Sequence, residues 1–101
     1  MIKHIIFWRF RPEIRNGDAQ QRRQMIQQMN QSAKNMVGKI DGLICAEVAE
    51  NTAPNGCDFV YYAEFSSKQA LEAYQMHPLH KQHQQMSADW LESREVCDYE
   101  I

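Results

Sequence analysis

Cysteine is scarce in this chain, and the three it has, Cys45, Cys57 and Cys97, are an odd number at wide spacing. That argues against an internal disulfide framework and against a Cys-x-x-Cys zinc site, and makes a reducing, cytoplasmic setting the expectation. Long apolar runs are also missing. Nothing approaches the roughly 18 consecutive apolar residues that a membrane helix needs, so no membrane partner is expected. The apolar start Ile2–Phe10 is broken by Lys3, His4 and Arg9 and is followed by no small-residue cleavage site, so it reads as a strand and not as a leader. An excess of either charge is absent too. Eleven basic residues face 13 acidic ones, for a net charge of −2, which leaves no general basic field for nucleic acid. The signs are unevenly spread: residues 1–50 hold eight Lys/Arg and five Asp/Glu, residues 51–101 three and eight. Such halves read either as ordinary solvated surface or as complementary faces of two subunits.

What remains is a chain of 101 residues, 44% apolar, which reads as a single domain over 1–101. A chain of this length buries only about 60–65% of its unfolded surface. The segment I-K-H-I-I-F-W-R-F (2–10) predicts a strand with Ile2, His4, Ile6, Trp8 and Phe10 on one face and Lys3, Ile5, Phe7 and Arg9 on the other. Both faces carry apolar bulk, so both should be covered. Pro12 and Asn16-Gly17 predict a turn. Asp18 with Gln21 suggests a capping box for a long helix whose apolar stripe is Met25, Ile26, Met29, Ala33, Met36, Val37 and Ile40. Core packing is the ordinary reading of its methionines.

Leu43–Ala49 and Asp58–Phe65 predict two further strands, separated by a loop with Pro54 and Asn55-Gly56. Phe59, Tyr61, Ala63 and Phe65 share one face of the second of these. Ser66 with Gln69 is expected to cap a short helix through Tyr74, and Pro78 opens another with Leu79, Met86 and Trp90 on one side. A last strand is expected over Arg94–Ile101, with Cys45 and Cys97 buried in strands and Cys57 in a turn. The order strand, helix, strand, strand, helix in two pieces, strand is the split pattern of an α+β, ferredoxin-like domain: a four-stranded antiparallel sheet with helices on one face. The other face must then be covered, most economically by a second copy in an isologous homodimer.

The residues with chemistry gather in Y-Q-M-H-P-L-H, Tyr74 to His80. Three of the four histidines, His77, His80 and His83, fall within seven residues, and the fourth, His4, lies on an apolar strand face. Imidazole and phenol pass protons near neutral pH and still pack against apolar surface. Each has a plainer reading. His4 would be a satisfied core histidine, His77 a cap for the helix after Pro78, and Tyr74 a core residue with its hydroxyl at the rim. Helical spacing turns His83 inward with Met86 and Trp90 and leaves His80 at the edge. Two successive spacings of three drift around a helix, and no H-E-x-x-H motif occurs, so no metal site is assigned.

Taken in series, I-K-H-I-I-F-W-R-F, Y-Q-M-H-P-L-H and the closing C-D-Y-E-I resemble the Dabb family, the stress-responsive dimeric A/B barrel domain, over essentially the whole chain. The resemblance implies a ferredoxin-like subunit that pairs through its sheet into a dimeric α/β barrel. It also implies a site. In a plant polyketide cyclase of this family, a histidine and a tyrosine in a cavity between sheet and helices promote aldol closure without a cofactor. Carried over by motif position, these are His80 and Tyr74, with His4 facing the same cavity. Where that cyclase has a histidine in its third strand and a tyrosine in its first helix, this chain has Phe59 and Ala33, which removes polar groups that would orient a polyketide.

The resulting expectation is a homodimer binding a small apolar carbonyl or phenolic ligand, with His80 as base, Tyr74 as hydrogen-bond donor and His4 as an orienting group. Ile6, Trp8, Phe59, His77, Leu79, His83, Met86 and Trp90 are the expected ligand-binding residues. Any activity would be a cofactor-free cyclase-, isomerase- or lyase-type proton transfer. The alternatives are a non-enzymatic stress-response dimer with structural histidines, or a cofactor-independent monooxygenase of the wider dimeric α/β-barrel group.

Overall fold

In the computed structural model, which describes Met1–Ile101, the elements follow the order β1 (Ile2–Phe10), α1 (Pro12–Arg15), α2 (Ala19–Met36), β2 (Leu43–Glu50), β3 (Phe59–Phe65), α3 (Lys68–Met76), α4 (Pro78–Ser87), a short 3₁₀ turn (Ala88–Trp90) and β4 (Leu91–Glu100). The four strands form one antiparallel sheet in the order β2-β3-β1-β4. The helices lie on one face, which is the ferredoxin-like arrangement.

The period of two in the strands decides which side chains meet the helices. Ile2, His4, Ile6, Trp8 and Phe10 of β1 and Phe59, Tyr61, Ala63 and Phe65 of β3 are all buried on the inner face. They pack on Ile26, Met29, Ala33 and Met36 of α2 and on Leu71 and Tyr74 of α3. A large side chain buried in this way contributes about 1.5–3 kcal/mol, so these few contacts dominate the stability of so short a chain.

Several local features depart from the sequence reading. Asp18 does cap α2, accepting from the Gln20 backbone N–H at 3.0 Å, but Gln21 does not close a box. Ser67, not Ser66, caps α3, its Oγ accepting from Ala70 N at 3.1 Å, while Ser66 N donates to the Gly42 carbonyl at 2.8 Å. Pro12 starts a single helical turn where a plain turn was expected, since proline suits a first helical position. The last strand begins earlier, at Leu91, drawn in by its ladder with β1. Cys97 is exposed, not buried, and Cys45 is half-buried, because both point to the outer face of the sheet.

β4 pairs only with β1 and reaches beyond the helices, so every residue after Leu91 is exposed. Its start is nonetheless held firmly. Arg11 N donates to the Trp90 carbonyl at 2.9 Å, and Arg15 bridges Asp58 at 3.2 Å, the Phe10 carbonyl at 2.6 Å and Glu92 at 2.7 Å. The gap left between uncovered β4 and α4 is where the site forms.

Candidate functional site

A cavity of about 350 Å³ lies between the inner faces of β1 and β4 and the side of α4. That is the size of a small-molecule site. Ile6, Trp8 and Leu91 supply apolar wall, Tyr61, His80 and His83 supply polar atoms, and Glu92 and Arg94 stand exposed at its rim.

The inward face of α4 is its least apolar one. His80, His83 and Ser87 are buried, whereas Leu79 and Met86 are only partly so. Spacing from Leu79 put Met86 and Trp90 in line toward the interior, but the helix is oriented from its first turn. Pro78 starts it, and His77 caps it by accepting from Leu79 N at 3.1 Å. His80 and His83, three apart, then share the inner side. Both imidazoles therefore line the cavity, and the choice between them that helical spacing posed does not arise.

These two rings carry the unusual chemistry. His80 is 7% exposed and His83 3%, yet His80 Nδ1 and His83 Nε2 have no hydrogen-bond partner. Buried polar atoms are nearly always paired, and these two nitrogens, closed to solvent in the cavity wall, are exceptions. The other nitrogen of His83, Nδ1, is 2.8 Å from Ser32 Oγ on α2, which fixes the ring. Burial holds His83 down at about 4, with His80 adding to the effect. Burial likewise lowers His80, and the charges of His4 and Arg94 assist, while the Gln75 backbone carbonyl acts the other way. Both rings are neutral at pH 7.

Behind the cavity wall lies a second polar layer. Tyr61 and Tyr74 place their hydroxyls 2.8 Å apart, with Tyr61 at the cavity and Tyr74 wholly enclosed. Burial raises the Tyr61 phenol to about 12 and raises Tyr74 further, so both stay protonated. The Tyr74 ring lies 4.1 Å from that of His80. His4 presents its ring edge-on to Tyr61 and Tyr74, at 5.8 and 6.2 Å, and its Nδ1 is held by Asp98 of β4.

Of the catalytic candidates, His80 thus lies in the cavity wall, whereas Tyr74 and His4 reach it through Tyr61 and His80. Ile6, Trp8 and His83 line the cavity. Phe59 does not. It is fully buried against Phe10 and Trp8, with ring centroids 4.7 and 5.1 Å away. Leu79, Met86 and Trp90 pack on the main core, and His77 serves α4 as its cap. Tyr61 and Arg94 were missing from the sequence-derived site. Tyr61 was within reach, since period two places it beside Phe59 and Ala63. Arg94 was not, because its place depends on the β1–β4 register that sets it opposite Trp8. No group of three histidine, cysteine or acidic side chains converges as a metal cluster would, and no helix is long and apolar enough to cross a membrane.

A family model described as the stress-responsive A/B barrel domain, Dabb, matches residues 2–101. No curated protein matches the chain significantly. Among solved structures it is similar to a dimeric, ferredoxin-like protein of unknown function from Bacteroides fragilis NCTC 9343, with a TM-score of 0.84 and 24% identity over 99% of this chain and 95% of that one. A Dabb-family protein with a ferredoxin-like fold from Mesorhizobium loti aligns with a TM-score of 0.75 and 19% identity, over 99% and 95% of the two chains. A candidate antibiotic biosynthesis monooxygenase from Nitrosomonas europaea aligns with a TM-score of 0.74 and 14% identity, over 99% of this chain and 97% of that one.

Proposed function

The chain belongs to the stress-responsive A/B barrel (Dabb) family, and within it we propose a homodimer that binds a small apolar carbonyl or phenolic molecule between β1, β4 and α4 and moves a proton on it. The observation that carries this reading is a cavity of about 350 Å³ whose wall holds two buried histidines, His80 and His83, each with an unpartnered ring nitrogen.

The chemistry follows from the protonation states. A neutral imidazole at His80 can accept a proton from the carbon beside a carbonyl. A protonated phenol can donate to the enolate oxygen that develops. With Tyr74 donating its O–H to the Tyr61 oxygen, the Tyr61 O–H is left free for the ligand. Tyr74 is then the donor at one remove, and His4, held by Asp98, orients the two phenols from the side. No cofactor is needed for such a transfer, and acid–base assistance of this kind is worth about 10²–10⁴-fold in rate.

Pairing through the sheet is supported by the outer face. Phe7 and Tyr99 are each about two-fifths exposed there, beside the partly buried Ile5, Val60 and Tyr62. Three unpaired cysteines support a reducing compartment such as the cytoplasm. A cofactor-independent monooxygenase is the second reading, favoured by the likeness to the Nitrosomonas protein, and oxygen uptake with quinol-type substrates separates the two.

The test is to titrate 2-naphthol while following the histidine ring nitrogens by NMR, in the wild type and in His80→Ala. Shifts confined to His80 and His83, and lost in the variant at an unchanged melting temperature, are expected. A His80→Ala protein that loses stability and shows no ligand effect in either form would make the histidines structural.

A further inference from the structure

We propose that the ligand of this cavity is an acid, a small and mostly apolar molecule carrying a carboxylate that Arg94 reads at the rim. This rests on the ligand-binding reading above and names the chemical class that the site selects.

The inference comes from where the charges on β4 go. Glu92, Arg94 and Asp98 share the inner face of that strand, two and four residues apart. Both carboxylates are engaged elsewhere, Glu92 by Arg15 at 2.7 Å and Asp98 by His4. Arg94 sits between them without an ion pair, although a guanidinium two residues from a carboxylate on one face would ordinarily take it. Arg15 is thus the residue that leaves Arg94 free. It does so with two further contacts, to Asp58 and to the Phe10 carbonyl at the end of β1, that make the diversion of Glu92 a fixed feature of the fold.

The free cation stands at the mouth of a cavity whose interior offers no countercharge. Inside are two neutral imidazoles with unpartnered nitrogens, a phenol and apolar wall. A planar carboxylate is the natural mate for a guanidinium, because two parallel N–H···O bonds match its geometry. A phosphate would call for several converging donors, and the cavity has one cation. The ligand would lie with its acid at Arg94, its apolar body along Trp8, Ile6 and Leu91, and its carbonyl or phenol oxygen at Tyr61 and the histidines.

The test uses two probes of one shape, 6-hydroxy-2-naphthoate and its methyl ester, titrated by fluorescence into the wild type, Arg94→Gln and Arg94→Lys, with sedimentation velocity alongside. The wild type should bind the acid at least ~10-fold more tightly than the ester. Arg94→Gln should bring the two within about twofold by weakening the acid alone, and Arg94→Lys should fall between. Added salt should weaken the acid and spare the ester. Equal binding of acid and ester by the wild type would overturn the proposal while leaving the pocket intact. An Arg94→Gln protein that keeps its preference for the acid but dissociates into single subunits would overturn it too, assigning Arg94 to the interface. Binding of neither probe, with no response at His80 or His83, would remove the pocket reading and this proposal together.

Discussion

The hydroxyls of Tyr61 and Tyr74 lie 2.8 Å apart, one at the cavity and the other sealed behind it. The two residues come from β3 and α3, and their shared hydrogen bond links the strand that floors the site to the helix that ends just before His77. Removing either hydroxyl should cost about 1 kcal/mol in urea unfolding, while removing both should cost less than the sum, since one bond is lost once. Their effects on ligand should differ. Tyr61→Phe deletes the donor at the cavity and should weaken 2-naphthol binding strongly. Tyr74→Phe leaves that donor in place and should weaken it by only a few fold. Equal losses from the two would contradict the order of donation drawn above.

His83 makes stability depend on pH in a defined direction. Its unfolded value is 6.5, and in the fold burial holds it at about 4. Between these values the unfolded chain binds the proton and the folded one does not. The stability is therefore complete above about pH 6.5 and is lost as pH falls toward 4, by about 3 kcal/mol in all. His80, lowered in the same direction, adds to the trend. Melting curves from pH 7.5 to 4.5 should fall less steeply for His83→Gln than for the wild type. Identical slopes would mean that His83 takes up its proton without cost.

The outer face of the sheet should hold the dimer. Phe7→Glu puts a charge at the centre of the apolar patch, where pairing would have to desolvate it. The wild type is expected to sediment at twice the 11.9 kDa chain mass, and the variant at the single mass with its far-UV spectrum preserved. A variant that remains paired at low micromolar concentration would move the interface elsewhere.

Two glycines give a matched pair for testing the fold. Gly42 has φ +83° and a Cβ there would lie 2.4 Å from Ala70 Cβ on α3, whereas Gly38, at φ +87°, has nothing within 4 Å. Gly38→Ala should cost about 1–2 kcal/mol, from the left-handed backbone alone. Gly42→Ala should cost distinctly more, because α3 must also move away. Equal melting temperatures for the two variants would show that α3 yields freely.

Much of this architecture is legible in local pattern. Alternation in Ile2–Phe10 and Phe59–Phe65 identifies the strands and their inner faces, and the 3.6-residue stripe of Ile26, Met29, Ala33 and Met36 identifies the packed side of α2. These signals are readable because each element must bury its own apolar residues against the same core. The apolar bulk on the second face of β1 likewise marks the outer face as one to be covered. His77 as a cap follows from the proline after it.

The site was only half legible. The sequence determined that phenol and imidazole groups gather near Pro78, since that is a matter of residues close along the chain. Only the tertiary structure decided which of them meet. The orientation of α4 brought His80 and His83 inward together, and β3 set Tyr61, not Tyr74, at the cavity. The β1–β4 register carried Arg94 to the rim while Arg15, from a distant turn, took Glu92 away from it. Contacts between residues tens of positions apart depend on register and helix orientation, which are fixed by the packing of the whole domain and leave no periodic trace in any one segment.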